Sequence, residues 1–213
     1  LTPIESAQKA IELAKKLSIY TINGSIILHF VPFYSIHKEI IDHVFEPYAI
    51  TILRRMMYRV AERFSKRRKA LSIINGESVG QVASQTLQSL SVVESVTKIP
   101  ILRPLITTDK LDIIQVAKRI GTYEISIQPH QDCCSIYVPK SPVTKPMEVY
   151  AKKYEESFDF MPRIDDAVKS IKSIDVTQDL GLDLSAHGFR VSEAIEDWEK
   201  ERIVTDDHIE TKS

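Results

Sequence analysis

Ala70-Leu-Ser-Ile-Ile-Asn75 is a continuous apolar run that passes straight into Gly76-Glu-Ser-Val-Gly80. The run has the length of a buried strand, and Gln81 to Leu90 continues at helical spacing. A strand, a two-glycine turn and a helix in that order make half of a parallel βα unit, which few folds accommodate. Ser25 to Val31 is a second buried-strand run, opened by Gly24. Ile99-Pro-Ile-Leu-Arg103 reads as a short third strand, and Pro100 assigns it to an edge or a strand end.

Amphipathic helices fill the intervals. Thr2-Pro3-Ile4-Glu5 is a helix start, with Thr at the cap, Pro in the first turn and Glu three residues on. Ile11, Leu13, Ala14 and Leu17 then line one face. Ser35 to Val44 is a second helix. Pro47 opens a third, with Ile52, Met56, Val60 and Phe64 on one side and Arg55, Arg59, Glu62 and Lys66 around the rest. Thr108 is expected to cap a helix over Asp109 to Ile120, with Gly121 at its end. The alternation predicts an α/β fold, a mostly parallel sheet with helices on both faces. The composition shifts after Pro146. Glu148 to Glu156 and Ile164 to Ile171 read as two short helices, and 174–213 as an acidic, weakly ordered tail. The expected boundaries are therefore a domain over 1–173 and a tail over 174–213.

Composition excludes several classes. A net charge of -1 over 213 residues does not mark the whole chain as a nucleic-acid binder. No apolar run approaches the roughly 20 residues that span a bilayer, and no secretory signal opens the chain. The expectation is a cytoplasmic protein with no membrane partner. The chain opens on Leu rather than Met, so a piece of a longer protein is expected.

Cys133 and Cys134 are the only cysteines and are adjacent. Adjacent cysteines rarely bridge each other, and two thiols make no disulfide framework. Lys140 and Lys145 nearby favour the thiolate, which is the nucleophilic form. On this clue alone, small buried apolar residues in a reducing compartment are the first reading. His130 and Asp132 beside them lack the spacing of a metal site, so no metal site is expected. Arg63, Lys66, Arg67, Arg68 and Lys69 form a basic helix end, first a solvated one and second an RNA-backbone contact. The glycine turn after Asn75 is either a plain βα turn or a place where backbone approaches a phosphate-bearing ligand.

Four motifs occur in one order: Gly76-Glu-Ser-Val-Gly-Gln-Val-Ala-Ser-Gln-Thr86; Leu102-Arg-Pro-Leu-Ile106 with Asp109-Lys110; Ile120-Gly-Thr-Tyr-Glu-Ile125; and Asp132-Cys-Cys134 with Pro139-Lys-Ser-Pro142. Leu53-Arg-Arg-Met-Met57 precedes them. Over about 1–173 the chain resembles the tRNA 4-thiouridine synthetases, the ThiI family of thiamine biosynthesis. The resemblance implies a PP-loop ATP pyrophosphatase domain. Such an enzyme adenylates a uridine of tRNA with ATP, and persulfide sulfur then displaces AMP. Some relatives also pass sulfur to the thiazole of thiamine.

By the same resemblance Arg54, Gly76 and Gln85 contact the nucleotide, and Lys110 is a functional cation in a first helical turn. Cys133 is the sulfur carrier, with Cys134 one residue out of register. ATP with Mg2+, tRNA, a separate cysteine desulfurase and a homodimer are the implied cofactors and partners. The family's phosphate loop, Ser-Gly-Gly-x-Asp-Ser, is absent from these residues; in relatives it lies upstream on the first strand of the sheet, with an RNA-binding THUMP region further upstream still. The expected domain thus lacks its first strands. The alternatives are another adenylating PP-loop enzyme, or a non-catalytic nucleotide- or RNA-binding module.

Overall fold

The computed structural model describes residues 4–82, 84–129 and 141–181. Cys133, Cys134 and residues 182–213 lie outside them. The described chain forms two compact units, one from 4–28, 118–129 and 173–181, the other from 29–117 and 141–172.

In the first unit, α1 covers Ile4–Ser18. Ile11, Ala14 and Ser18 recur at three- and four-residue spacing and are buried. Lys15 and Lys16 in the last turn suit the negative end of the helix dipole. Gly24, at φ 66°, turns the chain into β1, Ser25–Phe30, which pairs with β4, Lys172–Thr177. Ile174 and Val176 of β4 are buried while Ser173, Asp175 and Thr177 are exposed, the period-two pattern of a strand with one covered face. Strand structure therefore runs through position 173/174. A short helix α6, Tyr123–Ser126, follows Gly121 and packs against α1.

The second unit is built around α3, Ala49–Arg68, on which α2 (Tyr34–His43), α4 (Leu87–Glu94), α7 (Glu148–Glu155) and α8 (Phe160–Lys169) pack. Pro47 lies in a 3-10 turn, Glu46–Tyr48, just ahead of α3. Ile52, Met56 and Val60 recur along one face of α3 and meet Ile36 and Ile40 of α2 and Ile164 and Val168 of α8 in one core. Each such fully buried side chain contributes about 1.5–3 kcal/mol. α8 begins at Phe160, four residues ahead of the expected Ile164, because Phe160 packs against this core.

β2, Ile73–Ile74, runs parallel to β3, Ile101–Leu102, with Ile73 opposite Ile101 and Ile74 opposite Leu102. The α/β expectation holds in this mixed content, but the sheet is small: the described residues hold two two-stranded sheets rather than one broad one. Only two residues of the Ala70–Asn75 run pair, and Leu71 and Ile74 keep 88% and 66% of their surface.

Two local expectations change. The helix expected from Gln81 begins only at Leu87, because Gly80 sits at φ 80°, outside helical space, and Thr86 caps α4 by accepting from the Ser89 N–H at 3.1 Å. The helix α5, Lys110–Arg119, is capped by Asp109 rather than Thr108: the Asp109 carboxylate accepts the Leu111 N–H at 2.9 Å. No described helix is long and apolar enough to cross a membrane.

Candidate functional site

Because β2 and β3 are parallel, the segments that leave them emerge at the same end. Backbone and side-chain bonds sew those segments together. The Val79 N–H donates to Ile106 O at 3.0 Å, and Ser78 Oγ donates to Thr108 O at 3.2 Å. The N-terminus of α5, where Lys110 stands exposed, is thereby tied to the turn that Gly76 opens. Within the turn, Asn75 Oδ1 accepts the Glu77 N–H at 3.2 Å, and Gln85 Oε1 accepts the Ser78 N–H at 3.4 Å. Gln85 O also accepts the Gly80 N–H at 3.0 Å. Gln85 is thus folded back onto the turn.

Gly80 is a glycine by backbone necessity, at φ 80°. Gly76 is not: its φ lies outside the left-handed region, and a Cβ there would meet no protein atom within 4 Å. It is exposed just past the carboxyl end of a strand in a parallel pair, where α/β folds bind ligands. Neither conformation nor packing of the described residues demands glycine here.

A charged cluster lies behind the turn. Arg54 on α3 donates through Nη1 to Ser84 O and through Nη2 to Glu77 Oε1. Arg103, one residue past β3, donates through Nε to Glu77 Oε2 at 2.8 Å and through Nη1 to Glu94 Oε2 at 2.7 Å. Asn75 Nδ2 and Tyr58 OH add donors to Glu77 Oε2 at 2.8 and 3.2 Å. The Arg54 and Glu77 side chains keep only 15% and 13% of their surface. Burial works against the Glu77 charge, but the Arg103 hydrogen bond and the Arg54 charge outweigh it and hold the carboxyl below its ordinary value. Burial, and then the Glu77 charge, raise the Tyr58 hydroxyl above its ordinary value. For Arg103, burial opposes the charge, and the bonds to Glu77 and Glu94 more than restore it.

Of the residues expected at the site, Arg54, Gly76, Gln85 and Lys110 belong to this one neighbourhood, while Cys133 and Cys134 lie outside the described residues. Glu77, Arg103, Asn75 and Tyr58 were not foreseen. The signal for one of them was present: Arg54 and Tyr58 are one helical turn apart, which sets both on the same side of α3.

A parallel strand pair ending in a glycine turn, backed by two arginines, is the arrangement of an α/β ligand-binding domain. The chain belongs to the ThiI family: the family model described as thiamine biosynthesis protein (ThiI) matches residues 1–160. It is 52% identical over 201 residues to a probable tRNA sulfurtransferase of Acholeplasma laidlawii (strain PG-8A), covering 94% of this chain and 49% of that protein. Its fold matches the crystal structure of a 4-thiouridine synthetase–RNA complex with bound ATP, with a TM-score of 0.77 and 34% identity, over 83% of this chain and 47% of that one. The chain thus spans about half the length of the curated relative it matches.

Proposed function

We propose that the protein is an ATP-dependent tRNA sulfurtransferase that makes 4-thiouridine, with the described region forming part of its PP-loop domain. The observation that carries the reading is Gly76, a glycine required by neither backbone nor packing, open toward solvent beside an arginine cluster. A flat adenine nucleotide fits such a surface, because a side chain at that position would occupy the space the ligand needs. The matched relative is named a probable tRNA sulfurtransferase, and the matched structure holds RNA and ATP.

In this reading Arg54, Gly76 and Gln85 contact the nucleotide, and the Lys110 ammonium faces the phosphate or the RNA backbone. The uridine O4 attacks the α-phosphorus of ATP, and pyrophosphate leaves. The terminal sulfur of a persulfide on Cys133 then attacks C4, and AMP leaves with the former O4. A second thiol, from a separate reductant, attacks the Cys133 sulfur of the resulting disulfide, the S–S bond breaks and 4-thiouridine is released. A further reductant thiol then frees Cys133 as its thiol. Adenylation is needed because a carbonyl oxygen is a poor leaving group and a phosphoryl ester is a good one. Mg2+ is the expected companion of ATP. Phosphate oxygens are the usual ligands of such an ion. The β2–β3 pair is read as part of a larger parallel sheet. A cysteine desulfurase supplies the sulfur, a cytoplasmic homodimer is the expected form, and thiazole sulfur transfer is a second use of the same persulfide.

The test is sulfur transfer by the full-length protein, given ATP, a cysteine desulfurase, cysteine with radiolabelled sulfur, a thiol reductant and unmodified tRNA. Labelled 4-thiouridine is expected. Cys133→Ser should abolish it, and Cys134→Ser should leave it within a few-fold. Label incorporation untouched by either change would sink the reading.

A further inference from the structure

Glu77 sits at the centre of the cluster behind the glycine turn, and its two oxygens are used unequally. Oε2 collects three donors: Arg103 Nε at 2.8 Å, Asn75 Nδ2 at 2.8 Å and Tyr58 OH at 3.2 Å. Oε1 has one, Arg54 Nη2. Three donors from three segments fix the plane of the carboxylate, so the direction in which Oε1 points is set before Arg54 is considered. Arg54 meets that oxygen with one nitrogen and Ser84 O with another. Its guanidinium is therefore held at two points. One lies next to Gly76 in the chain, the other next to Gln85.

We propose that Glu77 is a positioning residue, which orients the Arg54 guanidinium for nucleotide binding through an oxygen left free by three other donors. The inference rests on the reading of Arg54 as a nucleotide contact. Charge supports it. Two guanidiniums, Arg54 and Arg103, share the Glu77 carboxylate, so these three groups together carry a single positive charge. Glu94, the other acidic partner of Arg103, is 43% exposed and screened by water. A nearby anion is favoured, yet Arg54 does not have to leave its acceptors to supply the charge. A planar guanidinium fixed by two acceptors loses little rotamer freedom when ligand binds, which is where preorganisation gains affinity. A loop-stapling role for Glu77 would hold the turn together whether or not Arg54 is present. A positioning role acts through Arg54 alone.

Equilibrium ATP binding, ATP KM and kcat for 4-thiouridine formation, and thermal unfolding of the full-length protein separate the two. Arg54→Ala should raise the ATP Kd and KM by roughly tenfold or more. Glu77→Gln should raise them by a similar factor while kcat stays within about threefold, because Gln keeps the volume and loses the charge. Glu77→Gln added to Arg54→Ala should cost nothing further, since its effect runs through a group already removed. Additive losses in the double variant overturn the proposal, as does Glu77→Gln with wild-type ATP binding. If Glu77→Gln unfolds, Glu77→Asp decides. It keeps the charge but withdraws the carboxylate by one methylene, and the expected result is a several-fold higher KM at unchanged melting temperature. A wild-type KM for Glu77→Asp overturns the proposal. Wild-type ATP binding by Arg54→Ala brings down the nucleotide reading itself, whereas a loss confined to Arg54→Ala brings down only the role of Glu77.

Discussion

Arg55 and Glu155, 100 residues apart in sequence, meet as a two-point pair: Nε to Oε1 at 2.8 Å and Nη2 to Oε2 at 2.9 Å. The two side chains keep 1% and 4% of their surface. Arg55 Nη1 reaches Ser95 Oγ at 2.9 Å and also Val92 O, and Arg59 Nη2 joins Glu155 Oε2 at 3.1 Å. The pair joins α3 to α7 and to the end of α4. Adjacent arginines thus divide the work of α3, with Arg54 turned to the glycine turn and Arg55 to the interior.

Glu155→Ala should destabilise the protein by about 3–5 kcal/mol, because it leaves a buried guanidinium without its counter-charge. Replacing both partners, Arg55→Met with Glu155→Leu, should cost less than the single change. Urea unfolding midpoints of the three variants check this. A single change costing under about 1 kcal/mol would mean that water reaches the pair.

His37 on α2 keeps 5% of its surface, and burial pushes its pKa from 6.5 down to about 4. The unfolded chain therefore takes up this proton first on acidification. The stability from neutral His37 is present above the unfolded value of 6.5 and is lost as pH falls toward about 4. Between about pH 7 and pH 5 the loss from this one group is about 2 kcal/mol, from the linkage of about 1.4 kcal/mol per pH unit. His37→Phe should flatten the pH dependence of unfolding by that amount. Parallel wild-type and His37→Phe curves would show that the ring is protonated in the fold.

Thr86 both starts α4 and holds a distant strand of chain. Its Oγ1 accepts the Ser89 N–H at 3.1 Å and donates to Thr144 O at 2.7 Å. Thr86→Ala should cost about 1–2 kcal/mol, and Thr86→Ser under about 0.5 kcal/mol, since the hydroxyl is what acts. Thermal unfolding of the two variants measures the difference. Equal losses for Ser and Ala would place the effect in the lost methyl instead.

Helices with a continuous apolar face were legible. α1, α2, α3 and α7 lie close to where spacing put them, because 3.6-residue periodicity is a local property. The stretch from Gln81 to Thr86 was not. Its residues suit a helix, but Gly80 turns left-handed, and the bonds of Val79 to Ile106 and of Ser78 to Thr108 hold the turn to a partner 27 to 30 residues away. β4 hid in an acidic context because only Ile174 and Val176 mark it.

The amino-acid order alone carried the α/β alternation and the family resemblance, from which Arg54, Gly76, Gln85 and Lys110 are proposed as site residues, since motifs and helical faces are written in neighbouring residues. Tertiary structure decided what those residues touch. That Glu77 saturates one oxygen with Arg103, Asn75 and Tyr58 and turns the other to Arg54 depends on contacts spanning 2 to 26 residues. Such convergence arises when parallel strands deliver their carboxyl ends to one place beside α3, a meeting of separate segments that neighbouring residues do not encode.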